Sequence, residues 1–291
     1  MAVPIFSGKS RRPYGSIDGI MFSEGIRGLR TRPRRATRFT LLALAALLLA
    51  LPAAAQTLTA ADARCRKALH AGMQRFARTL AKEQVRCHQR RIRGQVPLAT
   101  DCNDPANFRS PTRIERAEAV ARRAARRCKK AMPPAALGYS ACPAPCAGEP
   151  VGTYDEVAGC LACLTRASAL GAIESVFGSP TYGETDRLDR LCQGYVGRVM
   201  IFYLSARMRQ QAHCQYLQDR ERVDAGVDCV TADLRGVIAA ERFAARQVIA
   251  GCSTDDIVDA QLCGVDVPTL QACVEAEADT AADTIFTGAY R

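Results

Sequence analysis

Residues 65–87 read CRKALHAGMQRFARTLAKEQVRC, and residues 192–214 read CQGYVGRVMIFYLSARMRQQAHC. Each stretch begins and ends on cysteines 22 positions apart. Each is followed 15 positions later by a third cysteine, Cys102 or Cys229. A fourth closes each set, Cys128 in the first and Cys252 in the second. Leu69, Met73, Phe76 and Leu80 recur at helical spacing, as do Val196, Val199 and Tyr203. That period marks a helix with one apolar face. Other side chains keep the same register: Leu69 matches Val196, Phe76 matches Tyr203, Gln84 matches Gln211, and Arg122 matches Arg246. The chain therefore carries one unit twice.

Helix rise decides how the four cysteines of a unit pair. Twenty-two helical residues span about 33 Å, whereas bonded cysteines need Cα atoms within roughly 7 Å. Cys65 therefore cannot bond Cys87, nor Cys192 bond Cys214. If residues 229–250 are also helical, the two helices present cysteines at nearly equal separations. An antiparallel hairpin then joins Cys214 to Cys229 and Cys192 to Cys252. The first unit follows with Cys87 to Cys102 and Cys65 to Cys128. Crossed pairing would need parallel helices and a far longer connection.

The remaining elements fall around these hairpins. A helix over residues 59–93 is capped by Thr59, and Ser110-Pro111 opens a second that runs to Ala131. A loop with Cys142 and Cys146 leads to a third helix, Tyr154 to Phe177, carrying Cys160 and Cys163. The cycle restarts at Thr185 or Asp186, and a last helix opens at Val267-Pro268 with Cys273. No stretch alternates apolar and polar residues in the manner of a strand. The expected fold is all-α: two tandem disulfide-stapled three-helix units, 56–182 and 183–291, each an antiparallel hairpin plus a third helix. Cys263 pairs with Cys273 for want of other local partners. Either Cys142–Cys160 with Cys146–Cys163, or the exchanged pairing, completes the first unit.

Ahead of the repeats stands a leader, residues 1–55. Nine Lys or Arg precede the apolar run Leu41–Leu51, and Ala53-Ala54-Ala55 follows it. This is the pattern of a secretory signal peptide cleaved after Ala55. Met21 would serve equally as its start, since residues 1–20 add nothing such a signal needs. The run is too short to span a bilayer, and no later run is expected to approach that length. Export places the chain in the periplasm or outside the cell. All 14 cysteines lie beyond the leader, and a dense even set in that compartment reads as disulfides.

The chain carries a formal net charge of +11, unevenly placed. Residues 56–140 hold 19 bases and 6 acids, and residues 141–291 hold 12 bases and 21 acids. The first expectation is a basic half lying against an acidic half. The second is a basic surface for an anionic partner. The densest segment is Arg113–Lys130, with Arg122, Arg123, Arg126 and Arg127 as candidate anion-binding residues. It has no aromatic residue of its own to stack a base or sugar.

Other chemistry finds little support. Cys142, Cys146, Cys160 and Cys163 have roughly zinc-like spacing, but an exported chain oxidises such thiols. Cys160-Leu161-Ala162-Cys163 lacks the following His of a c-type haem site. His70, His88 and His213 are not repeat-equivalent and read as helix-surface residues. No nucleophile–base set or phosphate loop stands out. The reading is a non-enzymatic structural or interaction protein of unknown role and partner, needing no cofactor. The alternative is an electrostatic module whose partner is an anionic envelope surface or extracellular polymer, and intracellular nucleic acid is not expected. The 22- and 15-residue gaps, the Cys160–Cys163 step and the terminal Val267–Tyr290 helix resemble those of uncharacterised secreted cysteine-rich helical-repeat proteins of bacteria. That resemblance implies no activity.

Overall fold

Five capping boxes start helices among the described residues. At Thr59 the hydroxyl accepts the Asp62 amide, while the Asp62 carboxylate accepts the Thr59 amide. The same reciprocal device opens helices after Thr153, Asp186, Ser253 and Asp266. It satisfies amide donors that a helix start leaves without partners. A computed structural model describes residues 58–178 and 186–290. The leader, with its proposed cleavage site, and Thr185 lie outside the described residues.

Seven α-helices, and no strand, occur among the described residues. They are α1 (Ala60–Ile92), α2 (Pro111–Arg122), α3 (Tyr154–Phe177), α4 (Arg187–Gln218), α5 (Val237–Ile249), α6 (Thr254–Asp259) and α7 (Val267–Ala289). Short 3₁₀ turns cover Pro105–Asn107, Arg123–Cys128 and Pro134–Leu137.

The long helices α1, α3, α4 and α7 pack as a four-helix bundle, with α2 and α5 laid against α1 and α4. α1 runs antiparallel to α4. Near its start Lys67 lies over the ring of Tyr216, at its middle Gln74 donates to the Ser205 carbonyl, and near its end Gln89 approaches Gly194. Lys67 and Gly194 hold equivalent repeat positions, as do Gln89 and Tyr216. The two end contacts are thus copies related by a pseudo-two-fold axis. Both repeats feed one continuous core, in which Phe76, Leu80, Leu161 and Ile173 lie alongside Met200, Leu204, Val274 and Ile285.

The matched glutamines show how closely the repeats correspond. Gln84 donates to Asn103 Oδ1 at 3.0 Å and to the Leu170 carbonyl at 3.3 Å. Gln211 donates to the Val230 carbonyl and to Asp283. Each ties its hairpin turn to its third helix from a fully buried position, where a donor left without a partner would be costly.

The second helix of each repeat is shorter than the spacing predicts. α2 ends at Arg122, and a 3₁₀ segment carries the chain to Cys128. That segment rises about 2.0 Å per residue against 1.5 Å for an α-helix, which gains length toward Cys65. α5 begins only at Val237. The Asp228 carboxylate holds the Val230 amide and the Thr231 hydroxyl in a turn, and Gly236 adopts φ 65°. Both features oppose an earlier helix start.

α3 corrects the expectation that no later run approaches membrane length. It is long and apolar enough to cross a bilayer. Here it serves as a core helix, with Val157, Leu161, Leu164 and Ile173 fully buried.

α1 packs tightly on α4 at Gly197. A Cβ built there would stand 2.4 Å from Val85 Cγ1. Gly197→Val should therefore destabilise by about 1–3 kcal/mol through overpacking, read as a lower melting temperature. A melt equal to the parent's would mean the two helices can separate freely.

Candidate anion-binding faces

All fourteen cysteines are bonded. The hairpin staples are Cys65–Cys128, Cys87–Cys102, Cys192–Cys252 and Cys214–Cys229. The third-helix pairs are Cys142–Cys160, Cys146–Cys163 and Cys263–Cys273. The four thiols of the zinc reading are thus consumed in two disulfides and present no thiolate to a metal.

The basic segment divides in two. Arg122 binds Glu118 at 2.8 Å, and Glu118 also binds Arg166 of α3. Arg123 Nε turns back to the Ala119 carbonyl. Arg126 and Arg127 instead line an open cleft of about 690 Å³ with Arg64, Lys67, Lys129 and Lys130. No acidic side chain lines this cleft. Its aromatic wall is Tyr216, contributed by α4, with Lys67 Nζ 3.9 Å from the ring centroid. The aromatic partner missing from the basic segment therefore comes from the other repeat.

Sequence reasoning missed α1. Arg64, Lys67, Arg75, Arg78 and Lys82 are all exposed. They recur on the side of the helix opposite Cys65, Leu69, Met73, Phe76 and Leu80. The signal was the same helical period that located the core, applied to charge. Toward the far end of α1 a second cleft, of about 370 Å³, lies between α1 and α4 at the place equivalent to the first.

The expectation that the basic half lies against the acidic half is corrected. Arg66–Asp219 joins a first-half base to a second-half acid. Arg207, Arg242 and Arg246 bind Glu275, Asp279 and Asp283, all on α7 of their own half. Arg246 holds Glu275 through two bonds of 2.6 and 2.8 Å. These arginines of the acidic half thus pair within it, and most bases of the other half face outward. One detail is a reversal. Glu118 pairs with Arg166 in the first repeat, and at equivalent positions Arg242 pairs with Asp279 in the second.

The histidines also correct the surface reading. His70 and His88 are fully buried. His70 sits 5.4 Å from the Tyr290 ring and edge-on to Phe286, and neither of its nitrogens has a partner. Burial lowers its pKa to about 4. His88 stacks on Phe177, and its Nδ1 accepts from Arg91. Burial, then the neighbouring Arg91 charge, lowers it to about 3. Close by His70, Arg66 lies 5.0 Å from the Tyr290 ring centroid. Burial pushes the Asp219 carboxyl up, against the opposing pull of Arg66.

Asp186, Asp189 and Asp256 bring carboxylate oxygens within 4.8 Å of one another. Each already accepts a backbone amide in a capping box, which accounts for the cluster structurally.

Fold and cysteines together define the class: an all-α, disulfide-rich protein of a kind suited to an oxidising extracellular or periplasmic compartment. No protein-family model, curated protein or solved structure matches the chain.

Proposed function

We propose that the chain is exported and acts without catalysis as a binding module for an anionic polymer of the cell envelope or exterior. The carrying observation is the Tyr216 cleft. Six bases converge there with no acid in its lining. A linear polyanion gains from such a row because each neutralised charge releases counterions. Tyr216 supplies the apolar face against which a sugar or base can lie.

Heparin, a sulfated polysaccharide, serves as the test ligand. The parent should be retained at low salt and released as salt rises. Charge reversal of Arg64, Lys67, Arg126 and Arg127 should lower affinity at least tenfold and flatten the salt dependence. These side chains are exposed, so the variant should melt near the parent. Retention unchanged by the four reversals would refute the proposal.

A further inference from the structure

The second cleft differs from the first in one respect: its mouth is apolar. Arg78, Lys82, Arg93 and Arg198 line it, and none has an acidic partner among the described residues. No acid lines it at all. Between these bases stand Leu191, 40% exposed, and Phe202, 51% exposed. Arg78 lies 5.6 Å from the Phe202 ring centroid. Phe202 and Arg198 also form one wall of a neighbouring trough of about 150 Å³. That trough runs to α5, where Ala244, Ala245 and half-exposed Val248 line it and Glu241 is its one acid. A strongly cationic pocket and an apolar trough thus share one wall, Arg198 and Phe202.

A polyanion makes no use of the channel, and a neutral apolar ligand makes no use of the bases. Four arginine and lysine side chains without acidic partners favour a ligand with a compact multi-oxygen anion at one end. Solvent-exposed Phe202 and Val248 favour an alkyl chain at the other, because covering them removes apolar area from water. We infer that this cleft binds a phosphorylated acyl lipid, with the phosphate between Lys82 and Arg198 and the acyl chain along Phe202 toward Val248. The site is separate from the Tyr216 cleft and stands without it.

The chain has no tryptophan, so Phe202→Trp creates a single reporter in the channel wall. Titration of this variant with lyso-phosphatidylglycerol below its micelle concentration should shift Trp emission to the blue and saturate. Lyso-phosphatidylcholine, whose headgroup carries no net charge, should bind at least tenfold more weakly. Adding Lys82→Glu and Arg198→Glu should cost at least tenfold in affinity for the anionic lipid. In the Trp-free parent background, calorimetric titration should show a comparable loss for Phe202→Ser. Glycerol 3-phosphate and a short single-stranded oligonucleotide test the anion alone and the polymer. Neither should displace the lipid at equal concentration. Unshifted emission, equal binding of both lipids, or displacement by glycerol phosphate or oligonucleotide would each overturn the assignment. Loss of heparin retention in the four-residue variant of the other cleft, with lipid binding intact, is expected.

Discussion

A chain carrying Cys65→Ala and Cys128→Ala should lose about 4 kcal/mol of stability, seen as a fall in urea midpoint with a steeper slope, since the unfolded chain expands. The bond closes a loop of 63 residues, among the longest closed here. Without it the unfolded chain recovers conformational freedom that grows with loop length. Single domains are commonly stable by only about 5–15 kcal/mol, so this is a large share. The helices themselves supply little compensation, since α2 and its 3₁₀ tail bury chiefly Ile114, Ala121 and Ala125. Opening the 10-residue loop of Cys263–Cys273 should cost less, about 3 kcal/mol by the same chain-entropy argument. A Cys65/Cys128 variant within 1 kcal/mol of the parent would mean that bundle packing holds the hairpin unaided.

Acid should destabilise the protein before its carboxylates titrate. His70 and His88 have folded-state pKa values of about 4 and about 3, against about 6.5 in the unfolded chain. Above pH 6.5 both are neutral in either state and stability is full. As pH falls below 6.5 the unfolded chain binds protons that the folded chain refuses, so stability is lost. The loss continues to about pH 4 for His70 and about pH 3 for His88. At pH 4.5 each histidine should contribute a loss of about 2–3 kcal/mol. Asp189, Asp219 and Asp283 act in the opposite sense, because burial raises their pKa and folding then favours their protonation. Asp62, held low by Thr59 and the Met132 amide despite burial, adds to the acid loss at still lower pH. His70→Phe should leave stability at pH 7 intact or raised, since neither ring nitrogen has a partner to lose, and should flatten the profile between pH 6.5 and 4. Parallel profiles for variant and parent would reject a buried neutral His70.

Much of the fold was legible because cysteine spacing and helical period report on the same object. Thr59 and Asp186 stand at the caps and Pro268 in a first turn, and α1, α3, α4 and α7 begin within a residue or two of expectation. The joining of repeats was less legible. An apolar stripe states that a face is buried, not which helix covers it. Val85 and Gly197 fit one another, yet nothing local to either residue names the other. The burial of His70 and His88 was lost for the same reason, since their covers, Phe286 and Phe177, come from distant helices. The candidate surface was half legible. Arg126 and Arg127 could be read from local density, but Lys67 and Tyr216 become neighbours only through the antiparallel packing of α1 on α4.

The reversal between Glu118–Arg166 and Arg242–Asp279 bears on how a duplicated chain finds its own partners. With two similar hairpins and two similar third helices, α3 could dock on α5, or α7 on α2, within one molecule or between two. Either exchange would set Arg166 against Arg242, or Asp279 against Glu118. Like charges at a half-buried seam are penalised while the correct match is rewarded. The inverted polarity works as an address, assigning each third helix to its own repeat and disfavouring swapped dimers.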